Sequence, residues 1–377
     1  MTIKVLVIDD SALVRSLLSR ILDQDPDIEV VGTACDPYDA REKIKKLHPD
    51  VLTLDVEMPR MDGITFLKNL MRLHPMPVVM VSSLTEKGAE TTLQSLELGA
   101  FDFVSKPKGE PTSALARLAD EIIHKVKSAA SANLKGVSRR RRPAPPDRIE
   151  VDERHSADAI LPKRPPGRGS LIIAVGASTG GTEAIKELLA PLPPNLPPMV
   201  ITQHIPAAFS APFARRMNNI AALQVYEAED GQPIEPGCVY IAPGHSHLLV
   251  DCSTGTYRCR LHDGPRVNRH KPSVDVLFRS VAQCAGPKAI GIQLTGMGDD
   301  GARCLLEMRQ AGARTICQDE ATSVVWGMPG SAVKLGAAEQ VLPLEQIPAA
   351  LQQLVAQMNY RAPATGRIQP RPLAESL

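Results

Sequence analysis

Leu171-Ile172-Ile173-Ala174-Val175-Gly176-Ala177-Ser178-Thr179-Gly180-Gly181-Thr182-Glu183-Ala184-Ile185-Lys186-Glu187-Leu188-Leu189 reads as three pieces. The first five residues are a short apolar, β-branched run; the glycines that follow permit a tight turn; from Thr182 the apolar residues recur at helical spacing. A strand, a turn and a helix in that order form a corner that presents Ser178 at the start of a helix. Gly176-x-Ser178-x-Gly180 matches the nucleophile-elbow pattern, in which glycines relieve crowding at a sharp turn and neighbouring N–H groups face an oxyanion. By itself the match is weak. A glycine-rich turn before a helix is equally a cradle for phosphate, because unpaired N–H groups and the helix dipole favour any anion, and it is equally a purely structural turn.

Outward from this corner, length and composition narrow the classes. The 377 residues exceed what one hydrophobic core usually supports, so two domains are expected. With 43 basic and 42 acidic residues, the chain offers no global attraction to nucleic acid or to a membrane surface. No apolar run approaches the roughly 18 residues of a membrane span. Met1 to Val5 opens into a strand-like pattern in place of a signal peptide, so a cytoplasmic protein without membrane insertion is expected. Seven scattered cysteines without a CxxC pair argue for reduced, mostly buried thiols, and His245-x-His247 lacks cysteines at zinc-ligand spacing. Aromatic residues are 3% of the chain, too few for a base-stacking surface.

Residues 1–126 alternate apolar strand and amphipathic helix five times, with strands expected at 3–8, 29–32, 51–55, 77–82 and 101–104. Such alternation implies a parallel sheet covered on both faces, with binding groups at the carboxyl ends of its strands. Asp9 and Asp10 end the first strand and Asp55 the third. Three carboxylates at one edge repel unless a hard cation such as magnesium sits among them. Ser82 ends the fourth strand and Lys106 follows the fifth, adding a hydroxyl and an ammonium. Singly, each has a bland reading as a cap or a solvated charge. Five at successive strand ends form a constellation.

Asp9-Asp10, Asp55, Ser82 and Lys106-Pro107 together resemble a two-component receiver domain, a flavodoxin-like (βα)5 unit. The resemblance implies that Asp55 accepts a phosphoryl group from a chemotaxis histidine kinase. It further implies that Asp9, Asp10 and Asp55 bind Mg2+, that Ser82 and Lys106 sense the phosphate, and that Phe103 is an aromatic switch residue.

From 127 to 169 periodicity disappears. Residues 138–169 hold six prolines, nine Lys or Arg and five Asp or Glu, headed by Arg139-Arg140-Arg141-Arg142. Proline and charge at that density describe a solvated linker. The arginine run lacks a nucleic-acid-binding fold or aromatic partners, so no nucleic acid is expected. Residues 170–358 resume strand and helix alternation, a second doubly wound α/β unit, and 359–377 form a tail expected to be disordered.

A nucleophilic serine needs a base, and the base needs an orienting acid. His204 follows the next apolar run, and Asp300 lies in the glycine-rich turn Thr295-Gly296-Met297-Gly298-Asp299-Asp300-Gly301 after another strand. All three fall at strand ends of one expected sheet. A lone strand-end histidine is more often just hydrogen-bonded, and Asp299 or Asp300 more often caps a helix; joint placement is what favours chemistry. The order Ser, His, Asp differs from that of the α/β-hydrolases.

Gly176 to Gly181, Gln203-His204-Ile205-Pro206, Ala242-Pro243-Gly244-His245, His270-Lys271-Pro272-Ser273-Val274-Asp275 and Leu294 to Gly301 together resemble the chemotaxis receptor methylesterases, the CheB family. The resemblance implies hydrolysis of glutamate γ-methyl esters, and deamidation of glutamines, on the cytoplasmic helices of methyl-accepting chemoreceptors. Ser178 is then the nucleophile, His204 the base and Asp300 the orienting acid. N–H groups including those of Thr179 and Met297 serve the oxyanion, and no cofactor is needed for the esterase reaction. Two other classes compete less well. A receiver with a DNA-binding output needs a helix-turn-helix after residue 170, which is not legible, and a nucleotide-binding protein needs GxGxxG where the chain has Gly176 to Gly181.

Overall fold

The computed structural model describes residues 2–58, 61–82, 86–106, 112–131, 155–253 and 255–360. Two parallel sheets organise them. The first contains β1 (Ile3–Ile8), β2 (Ile28–Ala34), β3 (Val51–Asp55), β4 (Val78–Ser82) and β5 (Asp102–Ser105) in the order β2-β1-β3-β4-β5. Between and after them run α1 (Ala12–Leu22), α2 (Pro37–Leu47), α3 (Gly63–Leu73), α4 (Glu86–Glu97) and α5 (Thr112–Ser131). Every residue of β3 and β4 is buried, as expected where helices cover both faces. The strand order reverses between β1 and β3, and the carboxyl ends there carry Asp9, Asp10 and Asp55.

The second sheet has seven parallel strands. These are β6 (Ile172–Ala177), β7 (Met199–Gln203), β8 (Gln224–Glu227), β9 (Cys238–Ile241), β12 (Ala289–Gln293), β13 (Arg314–Gln318) and β14 (Gln340–Leu342), in the order β14-β13-β12-β6-β7-β9-β8. A separate antiparallel pair, β10 (His247–Asp251) and β11 (Arg258–His262), completes the strands among the described residues. The helices are α6 (Gly181–Leu189), α7 (Ala207–Ile220), α8 (Val274–Ala285), α9 (Ala302–Gln310), α10 (Met328–Lys334) and α11 (Ile347–Gln357). The chain winds outward from β6 through β7 to one edge and then returns to β12 on its other side, so the reversal lies at β6. Ala177 pairs in register with Gln203, and Gln293 with Gly176. The three strand ends that carry Ser178, His204 and the Thr295–Asp300 turn are therefore neighbours.

The corner at Ser178 follows from its glycines. Gly180, the N-cap of α6, has φ of 75°, the left-handed region that glycine enters without penalty. A Cβ there would lie 2.6 Å from Val324. Ala184, Ile185, Leu188 and Leu189 then bury one face of α6 against the sheet.

The expectation of seven reduced thiols is corrected: Cys252 and Cys284 form a disulfide with Cα atoms 5.7 Å apart. Cys252 follows β10 and Cys284 lies in the last turn of α8, elements that pack on each other, so the pair is set by a tertiary contact that no local spacing announces. Cys35, Cys238, Cys259, Cys304 and Cys317 are free. Among the described residues no helix is long and apolar enough to cross a membrane. The run Arg139–Arg142 lies outside the described residues. Of the tail, Asn359 and Tyr360 are described, with the Tyr360 hydroxyl donating to the Leu196 carbonyl at 3.4 Å.

Candidate active site and phosphoryl-acceptor site

Ser178 is half-buried just beyond β6. Its N–H donates to Thr295 O at 3.0 Å, and its carbonyl accepts from Gly181 N at 2.7 Å, so the loop after β12 and its own turn both hold its backbone. A second grip comes from Gln203, whose side-chain amide donates to Ser178 O at 2.9 Å and to His204 O at 3.1 Å. One buried amide thus ties the Ser178 turn to the His204 turn. Gly296 stands close enough that a Cβ on it would lie 2.8 Å from the Ser178 Cβ. The Thr295 hydroxyl donates to Thr179 O at 3.0 Å and accepts from Val325 N at 3.0 Å, joining the nucleophile turn to the Asp319–Gly327 loop.

His204 Nε2 lies 2.8 Å from Asp300 Oδ2. Its Nδ1 is buried and hydrogen-bonded to nothing among the described residues. With Nε2–H given to the carboxylate, Nδ1 holds the free lone pair, and it is the nitrogen available as a base. The other face of the ring stacks on His270, with centroids 3.7 Å apart and planes 9° from parallel. Burial, reinforced by the neighbouring His204 imidazole, holds His270 well below the usual imidazole range.

Asp300 is 1% exposed and heavily hydrogen-bonded. Besides His204, it accepts from Val274 N at 2.7 Å, Ser273 Oγ at 2.8 Å and Asn268 Nδ2 at 2.8 Å. Burial alone would raise its carboxyl, but the His204 hydrogen bond, the two neighbouring imidazoles and the Asn268 amide overcome that and hold it well below the usual range. Asp300 therefore stays ionised throughout ordinary pH. Behind it, Asp275 is pushed up to about 6 by burial and by the Asp300 charge. His247 is pushed down to about 4, chiefly by burial; its Nε2 faces Pro265 O at 2.9 Å and its Nδ1 accepts from Ser273 N at 3.2 Å.

The structure thus brings Ser178, His204 and Asp300 to adjacent strand ends. Thr179 and Met297 flank them, and among the described residues neither contributes its N–H to a backbone carbonyl. Sequence reasoning assigned no role to Gln203, Asn268, His270 or Ser273. A glutamine closing a fully buried strand was a usable signal, because a buried amide must find partners. Asn268 left none, since only the tertiary fold takes it to Asp300.

At the first sheet, ligand atoms of Asp9, Asp10 and Asp55 all lie within 4.8 Å of one another. Lys106 Nζ is 2.7 Å from Asp55 and 3.1 Å from Asp9. Burial raises both carboxyls, Asp55 to about 6, against the lowering pull of Lys106. Carboxylates gathered and raised in this way are a donor set that a hard divalent cation relieves. Ser82 is buried at the end of β4, its hydroxyl 3.4 Å from Gly88 O. Phe103 is buried too, and it faces the second sheet's helices, with its ring on Phe209 of α7.

Comparison with known proteins places both parts of the chain among familiar families. Residues 173–351 match the CheB methylesterase family and residues 5–117 the response regulator receiver domain. A protein-glutamate methylesterase/protein-glutamine glutaminase of Hydrogenovibrio crunogenus is 58% identical over 92% of this chain and 97% of its own. One from Xanthomonas campestris is 57% identical over 94% of this chain and 98% of its own. The crystal structure of the Thermotoga maritima CheB methylesterase catalytic domain is 38% identical, with a TM-score of 0.49 over 50% of this chain and 100% of that one. With relatives this similar along nearly its whole length, a receiver sheet at one end and a serine corner in a parallel seven-stranded sheet at the other, the chain belongs to the CheB methylesterase family.

Proposed function

We propose that this chain is a phosphorylation-regulated protein-glutamate methylesterase and protein-glutamine glutaminase acting on the cytoplasmic helices of methyl-accepting chemoreceptors. The observation that carries the catalytic reading is the committed Nε2 and uncommitted Nδ1 of His204, beside Ser178 on the next strand. In this reading His204 Nδ1 takes the Ser178 proton as Oγ attacks the side-chain carbonyl, and returns it to the departing methanol or ammonia. Asp300 keeps the proton on Nε2 and stabilises the imidazolium. The N–H groups of Thr179 and Met297 face the oxygen on which charge develops. Water then repeats the sequence on the acyl-enzyme, leaving a glutamate carboxylate. Purified protein incubated with a methyl-labelled receptor fragment should release methanol; no release from a phosphorylated, folded preparation would end this reading.

Regulation is assigned to residues 1–126, with a chemotaxis histidine kinase as phosphodonor to Asp55. Asp9, Asp10 and Asp55 would hold Mg2+, which when bound neutralises charge on the transferring phosphoryl group. Lys106 pairs with the incoming phosphate, Ser82 closes on it, and Phe103 carries the change to the surface beside the second sheet. That surface is in contact: α4 packs on α7, and Ser128 of α5 reaches Met297 Sδ at 2.9 Å. The docked arrangement stands over the oxyanion turn and restricts a receptor helix, and phosphorylation biases the equilibrium toward an undocked form. Residues 170–358, freed of the rest, should then exceed the unphosphorylated whole in activity.

A further inference from the structure

The turn that leads to α8 touches both partners of the proposed base and acid. His270 stacks on His204, and Asn268, two residues earlier, reaches Asp300. Asn268 has φ of 51°, in the left-handed region that asparagine tolerates better than most residues. Its N–H donates to His155 O at 3.0 Å, and Val267 pairs with the same His155, so the backbone of the turn is pinned. The side chain is held as firmly: Nδ2 donates to Asp300 Oδ1 at 2.8 Å and to Asp275 Oδ2 at 2.6 Å.

Two buried carboxylates this close repel, and an NH2 group offers one hydrogen to each. A carboxylate at position 268 would add a third charge, and an apolar side chain would leave both oxygens short of a donor. Ser273 Oγ and Val274 N also hold Asp300, but both belong to the start of α8. Asn268 supplies the restraint from the turn that also carries the ring behind the base.

We propose that Asn268 is a positioning residue for hydrolysis: its amide holds the Asp300 carboxylate in the rotamer that gives Oδ2 to His204 Nε2, leaving Nδ1 for Ser178. The inference rests on the Ser178, His204, Asp300 reading above. Around this pair the titratable neighbours are His270 stacked on His204, Asp275 and His247 near Asp300, and, facing His270, Arg266 and His124. Removing the amide makes Asp300 a stronger partner for a protonated His204, so the imidazolium persists to higher pH.

The test uses the full-length protein with a small phosphodonor and a methyl-labelled receptor fragment, following methanol release against pH. Asn268→Gly, which keeps the backbone comfortable, should lower kcat roughly 10- to 100-fold, leave KM within about 2-fold and move the acid limb of the profile upward. Asn268→Ser, with one donor in place of two, should fall between, and it decides the matter by the same readouts if the glycine variant does not fold. Wild-type kcat with an unmoved acid limb, or a change confined to KM, overturns the proposal. Ser178→Ala is run beside them: turnover by it would sink the triad reading itself, whereas an inert Ser178→Ala with a wild-type Asn268→Gly sinks only the role given to Asn268.

Discussion

Phe103 of β5 and Phe209 of α7 lie with ring centroids 4.5 Å apart and planes tilted by 38°. Phe103 sits three residues before Lys106, which grips Asp55, and α7 begins three residues after His204. One aromatic contact thus joins the strand that leads to Lys106 to the helix that follows His204. Lys125 fixes the near side, donating to the Phe103 carbonyl and standing 5.2 Å from its ring.

Beside that contact, Glu97 at the end of α4 pairs with Lys186 of α6 at 2.8 Å and with Arg216 of α7. These partly exposed pairs are each worth under about 1 kcal/mol, but reversing the charge turns attraction into repulsion at both. Glu97→Lys should raise the unphosphorylated rate roughly 3- to 10-fold and shrink the further gain from a phosphodonor. Added salt should narrow the difference between variant and wild type. An unchanged basal rate would mean that these contacts do not restrain the site.

Ser178→Ala and His204→Ala should each abolish methanol release while circular dichroism stays native. Asp300→Asn should cost about four orders of magnitude in kcat, because the amide cannot hold the proton on Nε2. Residual activity near wild type in any of the three removes that residue from the mechanism.

Asp55 gives a prediction about stability. Burial first, then the nearby Asp9 charge, outweigh Lys106 and raise its carboxyl from 3.8 to about 6. The folded chain therefore favours the protonated form. Stability is lost as pH rises from about 4 through 6, and above that the buried charge costs about 3 kcal/mol or less. Asp55→Asn should raise the receiver's unfolding temperature at pH 7, and the gain should fade below about pH 4. Millimolar Mg2+ should also narrow it. Calorimetry showing a gain independent of pH would contradict this account.

The Cys252–Cys284 bond closes a loop with a sequence separation of 32 residues. Constraining an unfolded loop of that length is worth about 3 to 4 kcal/mol in the chain-entropy view. Cys252→Ser and a strong reductant should lower the unfolding temperature equally, and the unfolded, unreduced chain should titrate five thiols, not seven. Seven titrated thiols, or a melting curve indifferent to reductant, would refute the bond's contribution.

Much of this arrangement was legible in the sequence because parallel sheets place chemistry at strand ends. Asp9, Asp55, Ser178 and His204 each follow an apolar run whose direction is forced, so their shared edges could be read without coordinates. Element ends moved by a residue or two, as with β2, which extends to Ala34 where the alternation suggested Gly32. What stayed hidden depends on side chains converging from distant segments. Asn268 reaches Asp300 across 32 residues, and Cys252 meets Cys284 through packing of β10 on α8. No periodicity records such meetings. The contact of Phe103 with Phe209 was hidden for the same reason, since each phenylalanine satisfies its own helix or strand pattern whether or not the other is near.

The pairing of Ala177 with Gln203 has an effect on which changes the molecule tolerates. Ser178 and His204 are the next residues along two strands locked in step, so their separation is metered by the sheet and owes little to either side chain. Deleting one residue inside β6 or β7 would turn the residue at its end to the opposite face of the sheet, and no neighbouring rotamer could restore it. Lengthening the connections at the amino ends, roughly 17 Å away along five residues, leaves the spacing untouched. Variation in this chain is therefore expected to accumulate as insertions at the far edge, while the lengths of β6 and β7 stay invariant.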